Sequence, residues 1–362
     1  MAKKERVRRN EIAYNQTDGK QKNAKYRLAP DEVEIIHNYR RIYNEAVENG
    51  LNPADVKHGW IKNDKSSLFF KNPNFNNEAE KLSKFQKDLI NSLKEHSPTY
   101  PKIKRTKSKD GHLLVLDPAD VHVGKLCTVF ETGKEYNSQI AVKRCLEGVE
   151  GILQKSNGFN IDKICFIGGN DILHVDNAKN TTTSGTYQDA SGMWYDNFML
   201  AKQLYIDILE KLIVIAPVEF IFNPSNHDYT NGFFLANVIE THFRNCKDIT
   251  FKCSISHRKY TSYGNSLIGT THGDGAKNND LGSLMSVECK KEWATAEYRY
   301  FYTHHVHHKT SKDMINVTLE SLRSPSPADS WHNRNGYISQ PAIEGFIHSK
   351  TKGQVARLTN YL

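Results

Sequence analysis

HLLVLDPADVHVGK, residues 112–125, is an apolar run that passes directly into a polar loop. Four consecutive apolar residues, Leu113 to Leu116, suit a short strand buried on both faces, as in an α/β sheet. The loop then presents Asp120 and His122 two residues apart, so both side chains can reach one ion at the strand's C-terminal edge. A single D-x-H has little specificity. Asp117 is a rival carboxylate nearby, without a histidine at that spacing.

Four more segments downstream repeat the arrangement of apolar strand followed by ligand-type side chains. KICFIGG leads into Asn170-Asp171, where glycine freedom lets Asp171 point at the site and offer two oxygens to a pair of cations. VEFIFN leads into Pro224-Ser225-Asn226-His227-Asp228. Here Asn226 can give a neutral amide oxygen, His227 can protonate a leaving oxygen, and Asp228 is expected to orient His227. SLIGTT leads into His272-Gly273, and EYRYFYT into His304-His305-Val306-His307-His308. In that last tract His305 and His307 are the expected ligands, leaving His304 and His308 as surface residues or substrate contacts. Carboxylate, amide and imidazole donors suit two Mn, Zn, Fe or Mg ions better than a thiolate-preferring metal.

Helices are expected at residues 138–154 and 193–215, between strands, with further strands at VEFIFN, DITFKCS, KYTSYG, SLIGTT, EYRYFYT and MINVTLE. This α/β alternation, strand-rich toward the C-terminus, predicts two packed mixed β-sheets flanked by helices.

In this order the motifs resemble the calcineurin-like metallophosphoesterase superfamily over residues 112–310, with the remainder to 362 fitting the same domain. The resemblance implies that Asp120, His122, Asp171 and His307 hold one ion and that Asp171, Asn226, His272 and His305 hold the other. His227 would be the catalytic acid, and Mn2+ the metal first expected. GGNDILHVDN is similar to the corresponding segment of SbcCD-type DNA exonuclease subunits, which places His174 on their active-site histidine. GND…HVDN…TTTSGT also looks like phage-encoded members, making residues 177–186 the expected substrate-facing loop. Asn170, Ser225 and His304 stand where the family has glycine. The chain continues little beyond the motifs, so an exonuclease-style capping domain is not expected.

The implied reaction is hydrolysis of phosphodiester bonds by metal-activated hydroxide, with DNA as the first substrate class. A phosphodiesterase for nucleotides or cyclic nucleotides, or a phosphoprotein phosphatase, is the alternative. A DNA-binding protein with a decayed site is a third reading, disfavoured because every ligand position is filled.

Upstream of residue 112 the composition differs. Residues 1–29 read as a basic flexible arm: residues 1–30 hold nine Lys or Arg against three acids, and so six of the chain's eight net positive charges. Such a tail favours nucleic acid, DNA above all, or is simply solvated. Residues 30–100 read as a small helical region. Its helices would lie from Pro30 to about Gly50, from Asn52 onward and over 76–95, an outline that includes a helix-turn-helix. Residues 101–111 read as a basic linker.

No apolar run long enough for a membrane span and no signal peptide is visible, which points to the cytoplasm of a bacterial or phage-infected cell. The six cysteines form no C-x-x-C pair and read as reduced thiols. The sequence leaves the oligomeric state open, a homodimer being one option. Tyr187, Trp194, Trp331 and Tyr337 can be core, rim or base-stacking residues.

Overall fold

The structure, a computed structural model, describes residues 11–14, 21–24, 43–44, 46–50, 56–63, 66–71, 78–95, 98–105 and 110–362. The chain divides into two compact units, Met1–Ser83 and Lys84–Leu362. In the first, β1 (Glu11–Tyr14) pairs antiparallel with β2 (Gln21–Ala24), and β3 (His58–Asn63) pairs antiparallel with β4 (Ser66–Lys71). The expected small helical region is therefore interrupted by strands at 58–71. The Trp60 and Phe69 rings, opposite each other in the register and 5.2 Å apart, form a cross-strand aromatic pair that a helix would not make. Of the first expected helix, residues 43–44 and 46–48 are helical, while the opening of the second, 51–55, lies outside the described residues.

The helix expected over 76–95 is α1 (Glu78–Glu95). The second unit begins within it, ahead of residue 112, because the stretch that follows Lys84 is anchored to the α/β layers. Phe85 meets the Trp194 and Phe198 rings edge-on, Tyr100 stacks on Phe243, and Arg105 pairs with Asp248 and donates to the Ile213 carbonyl. Part of the basic linker is thus fastened down; its residues 106–109 lie outside the described residues.

The second unit continues with β5 (His112–Asp117), α2 (Val129–Thr132), α3 (Ser138–Lys155), β6 (Ile161–Gly169), α4 (Trp194–Ile215), β7 (Val218–Asn223), α5 (Tyr229–His242) and β8 (Ile249–Lys252). It proceeds through β9 (Lys259–Tyr263), β10 (Ser266–Thr271), α6 (Leu281–Glu288), α7 (Lys290–Thr295), β11 (Tyr298–Thr303), β12 (Thr310–Met314) and β13 (Val317–Ser321). It closes with α8 (Ser330–Arg334), β14 (Ala342–Ser349) and β15 (Gly353–Tyr361).

One sheet has the order β15-β14-β5-β6-β7-β8 and the other β12-β13-β11-β10-β9. β5 to β8 are mutually parallel, as are β10, β11 and β13, while β9, β12, β14 and β15 run antiparallel to their neighbours. The expected single strand MINVTLE is split, because Asn316 takes a left-handed conformation (φ 62°) and turns β12 back onto β13.

Side-chain alternation explains the layering. Leu113 and Val115 of β5 face a core that also contains Ile268 of β10 and Tyr302 of β11, so the two sheets pack face to face. Leu114 and Leu116 face the opposite way, toward α3, α4 and α5. Phe301 and Leu267 line the outer face of the second sheet against Leu281 and Met285 of α6. Both faces of β5 are covered, which is why it reads as a continuous apolar run; each such buried side chain contributes about 1.5–3 kcal/mol. All six cysteines are free thiols. No helix among the described residues is long and apolar enough to cross a membrane.

Candidate metal centre

Each of the five motifs lies just past the C-terminal end of a parallel strand: β5, β6, β7, β10 and β11. Ligands collect at that edge in α/β folds because the strands end together there and the loops fan outward. The first two loops are joined by their backbones: Asp120 N–H donates to Asn170 O (2.8 Å), His122 N–H to Asp171 O (2.9 Å) and Val123 N–H to Ile172 O (2.8 Å). Gly169, at φ 78°, has no room for a side chain, since a Cβ would come 2.1 Å from the Asn223 carbonyl oxygen.

Backbone strain concentrates at this edge. Among the described residues eight non-glycine positions have positive φ, and six of them are Asp120, His122, Asn170, Asp171, His305 and His307. Such conformations cost about 1–3 kcal/mol each and persist where surrounding contacts enforce them.

The expected ligands come together as two sets of donors, Asp120 with His122 and His307, and Asp171 with His272 and His305. Asp120 Oδ1 lies 3.4 Å from His307 Nε2, His122 Nε2 lies 3.3 Å from His307 Nε2, and Asp171 Oδ2 lies 3.1 Å from His272 Nε2. Asn226 Oδ1 completes the second set at 2.9 Å from His272 Nε2.

The two carboxylates are used alike. One oxygen of each is held by a backbone N–H: Asp120 Oδ2 by His305 (3.3 Å) and Asp171 Oδ1 by His227 (2.9 Å). The other oxygen of each is buried without an aligned hydrogen-bond donor, although imidazole nitrogens face it. Two donors bound at about 2.1 Å to one ion, at angles between octahedral and tetrahedral, lie about 3.0–3.4 Å apart. The residues therefore fit a pair of divalent cations.

Electrostatics agree with that fit. Burial holds His122 well below its ordinary value of 6.5, with the charge on His227 acting the same way, and burial also lowers His305 and His307. Neutral imidazoles are the form that binds metal. Burial would raise Asp171, but His272 and His227 outweigh it and hold the carboxyl below the usual range. Conversely burial would lower His272, but the Asp171 carboxylate lifts it to about 9.

The expected catalytic residues divide into different roles. His227 lines the cleft above the ligands, and its Nδ1 lies 2.9 Å from the His174 carbonyl oxygen. A carbonyl can only accept, so the Nδ1 proton is fixed and Nε2 is left for chemistry. Asp228 does not orient His227, contrary to expectation. Its Oδ1 accepts from Ser225 Oγ (2.6 Å) and its Oδ2 from Leu173 N–H (2.9 Å), while Ser225 Oγ accepts from Asp171 N–H (2.7 Å). Asp228 is thus an internal brace between the second and third loops. Burial, reinforced by the charge on Asp171, raises it to about 8.

His174 Nδ1 sits 3.3 Å from His122 Nδ1, and its ring stacks on His227 at 5.3 Å. If His122 Nε2 gives its lone pair to an ion, the proton on Nδ1 has His174 as acceptor. His174 thus positions both neighbours.

Several contributors were not anticipated. His304 is buried against Asp117, and the buried Lys125 fastens the segment carrying α8 through Pro327 O (2.8 Å) and Asp329 (3.1 Å). The position of Lys125 directly after D-V-H-V-G was the available signal. In the expected substrate loop, Thr183 Oγ1 bonds Asp176, whose carboxylate accepts from Thr230 and Asn231 N–H at the start of α5, so the loop is tied down and brings Thr186 to the cleft.

The two packed mixed sheets expected from the sequence are present, and the expected donors meet at one strand edge. No family model matches the chain, and no curated protein matches it. Among solved structures it is similar to an archaeal phosphodiesterase, at 9% identity over 69% of this chain and 99% of that one, with a TM-score of 0.32. It is similar to zinc-bound Vps29 of Entamoeba histolytica at 10% identity over 69% and 98% of the two chains, TM-score 0.29. A Streptococcus pneumoniae protein described only as a predicted phosphoesterase shares 12% identity over 71% and 100%, TM-score 0.27. Likenesses this distant decide nothing about activity.

Proposed function

We propose that the chain is a dinuclear metal-dependent phosphodiesterase that cleaves nucleic acid, with DNA as its substrate. The observation that carries this reading is the pair of donor sets side by side at one strand edge, with His227 directed into the same cleft. Two divalent cations, when bound, supply water activation and neutralise the non-bridging phosphate oxygens. The donor set is compatible with Mn2+ as the working metal.

The chain's own residues supply the rest. Asp171, whose backbone N–H donates to Ser225 and whose Oδ1 accepts from the His227 N–H, is held in the second donor set as the carboxylate that would serve both ions. His227 Nε2 is the atom that gives a proton to the departing oxygen, its ring held by the His174 carbonyl. Nucleic acid is favoured over a phosphoprotein by the positive charge of residues 1–30 and by the resemblance around His174.

Manganese-dependent hydrolysis of end-labelled single- and double-stranded DNA tests the reading. Wild type should cut, and His227→Ala and Asp171→Ala should each lose about a hundredfold or more. Turnover of phosphopeptides without DNA cleavage would replace this function with a phosphatase.

A further inference from the structure

The cleft above the donor sets, about 720 Å³ in volume, has a second character away from the ligands. Trp331, Tyr337 and Tyr187 line it with 60%, 56% and 67% of their surface exposed. Single exposed rings are ordinary on a protein surface, but three in one concavity contiguous with a reaction centre form a binding surface.

The aromatic segment is joined to the ligands by stacking. The His332 ring lies parallel to the ligand His307 (5.1 Å, 12°), Trp331 stands edge-on to His332 at 5.0 Å, and Tyr337 lies 5.6 Å from Trp331. It is also fastened at both ends. Asp329 accepts from His332 N–H (2.9 Å), lies 2.7 Å from His332 Nδ1 and pairs with buried Lys125, while Ser339 Oγ donates to the His307 carbonyl (2.6 Å). The rings are therefore set in place before a ligand arrives.

Charge assigns the two parts of the cleft. Glu131 and Asp189 line it alongside the rings against a single cation, Arg334, so the charge there disfavours a phosphate backbone, whereas an uncharged base meets no such penalty. Phosphate belongs with the donor sets and the base with the aromatics. A base inside a duplex has both faces covered by its neighbours and has none to offer.

We propose that Trp331 and Tyr337, together with Tyr187, form a platform that stacks the unpaired nucleobase next to the scissile phosphate, so that the substrate is a single-stranded or frayed nucleic-acid end. This rests on the phosphodiesterase reading above.

Two esters with one leaving group test it: thymidine 5′-(p-nitrophenyl phosphate) and methyl p-nitrophenyl phosphate, each hydrolysed by the manganese-loaded full chain. Base stacking at about 1–3 kcal/mol corresponds to a kcat/KM ratio of roughly 5 to 150 in favour of the thymidine ester, falling toward one in Trp331→Ala. A ratio near one in wild type, or one unchanged by Trp331→Ala and Tyr337→Ala, overturns the platform while leaving the phosphodiesterase intact. So does a phosphotyrosine peptide turned over faster than the thymidine ester. If neither ester is hydrolysed, the phosphodiesterase reading fails, and fluorescence quenching decides the platform: oligothymidylate should quench wild type but not Trp331→Phe, whereas equal quenching, or none, overturns it.

Discussion

His304 and Asp117 form a buried pair behind the ligands: Nε2 lies 2.8 Å from Asp117 Oδ2, and Nδ1 lies 2.9 Å from the Thr271 carbonyl oxygen. The carbonyl can only accept, so Nδ1 carries a proton, and a second proton is shared between Nε2 and the carboxyl. Burial pushes the Asp117 carboxyl up against the pull of His304. The histidine that follows β11 thus locks the end of that strand to the end of β5.

Breaking that pair leaves Asp117 alone in the core. His304→Ala should cost about 3 kcal/mol in urea denaturation, and adding Asp117→Asn should recover part of the loss. Equal stabilities of wild type and His304→Ala would remove the pair from any structural role.

Gly169→Ala should destabilise by about 3 kcal/mol or more, because the new Cβ meets the Asn223 carbonyl in a left-handed backbone. Thermal unfolding monitored by circular dichroism measures this. The variant should also bind metal more weakly, since the next two residues include Asp171.

Glu219 gives a pH dependence away from the ligands. Burial alone would raise its carboxyl, but Lys163 and Lys252, each at 2.8 Å, and Thr261 hold it below its ordinary 4.5. A depressed carboxyl contributes stability above its unfolded value and loses that contribution as pH falls through the folded one. Glu219→Gln should therefore be less stable than wild type by about 1–3 kcal/mol at pH 7, with the gap closing below pH 4.5. A gap independent of pH would point to packing instead.

Lys125→Met should loosen the segment from Asp329 to Ser339 by removing its bonds to Asp329 and Pro327. Protease cleavage between 325 and 340 should quicken, by about tenfold if the loss is near 1.4 kcal/mol. Unchanged cleavage would mean that the Ser339 contact alone suffices.

Much of this was legible in the sequence. The five ligand loops were readable because a strand buried on both faces must be apolar throughout and then stop abruptly at its polar loop. Helices α3 and α4 followed from long periodic segments. The roles of Asp228 and His304 were not legible, since their partners Leu173 and Asp117 are distant along the chain and meet them only once the sheets form. The β3-β4 hairpin has only a faint signal, Trp60 and Phe69 flanking a polar break, and the division of MINVTLE depends on Asn316 accepting a positive φ. The aromatic platform needed Lys125 and Ser339 to bring a loop from beyond β13 back over the cleft.

Calorimetric titration of Mn2+ into the metal-free full chain tests the central claim most directly. Two ions should bind per wild-type chain, Asp171→Asn should weaken binding at both sites, and filling the second set should release the proton of His272 near neutral pH. Binding of one ion or none by wild type, or two ions bound unchanged by Asp171→Asn, would contradict a dinuclear centre organised around Asp171.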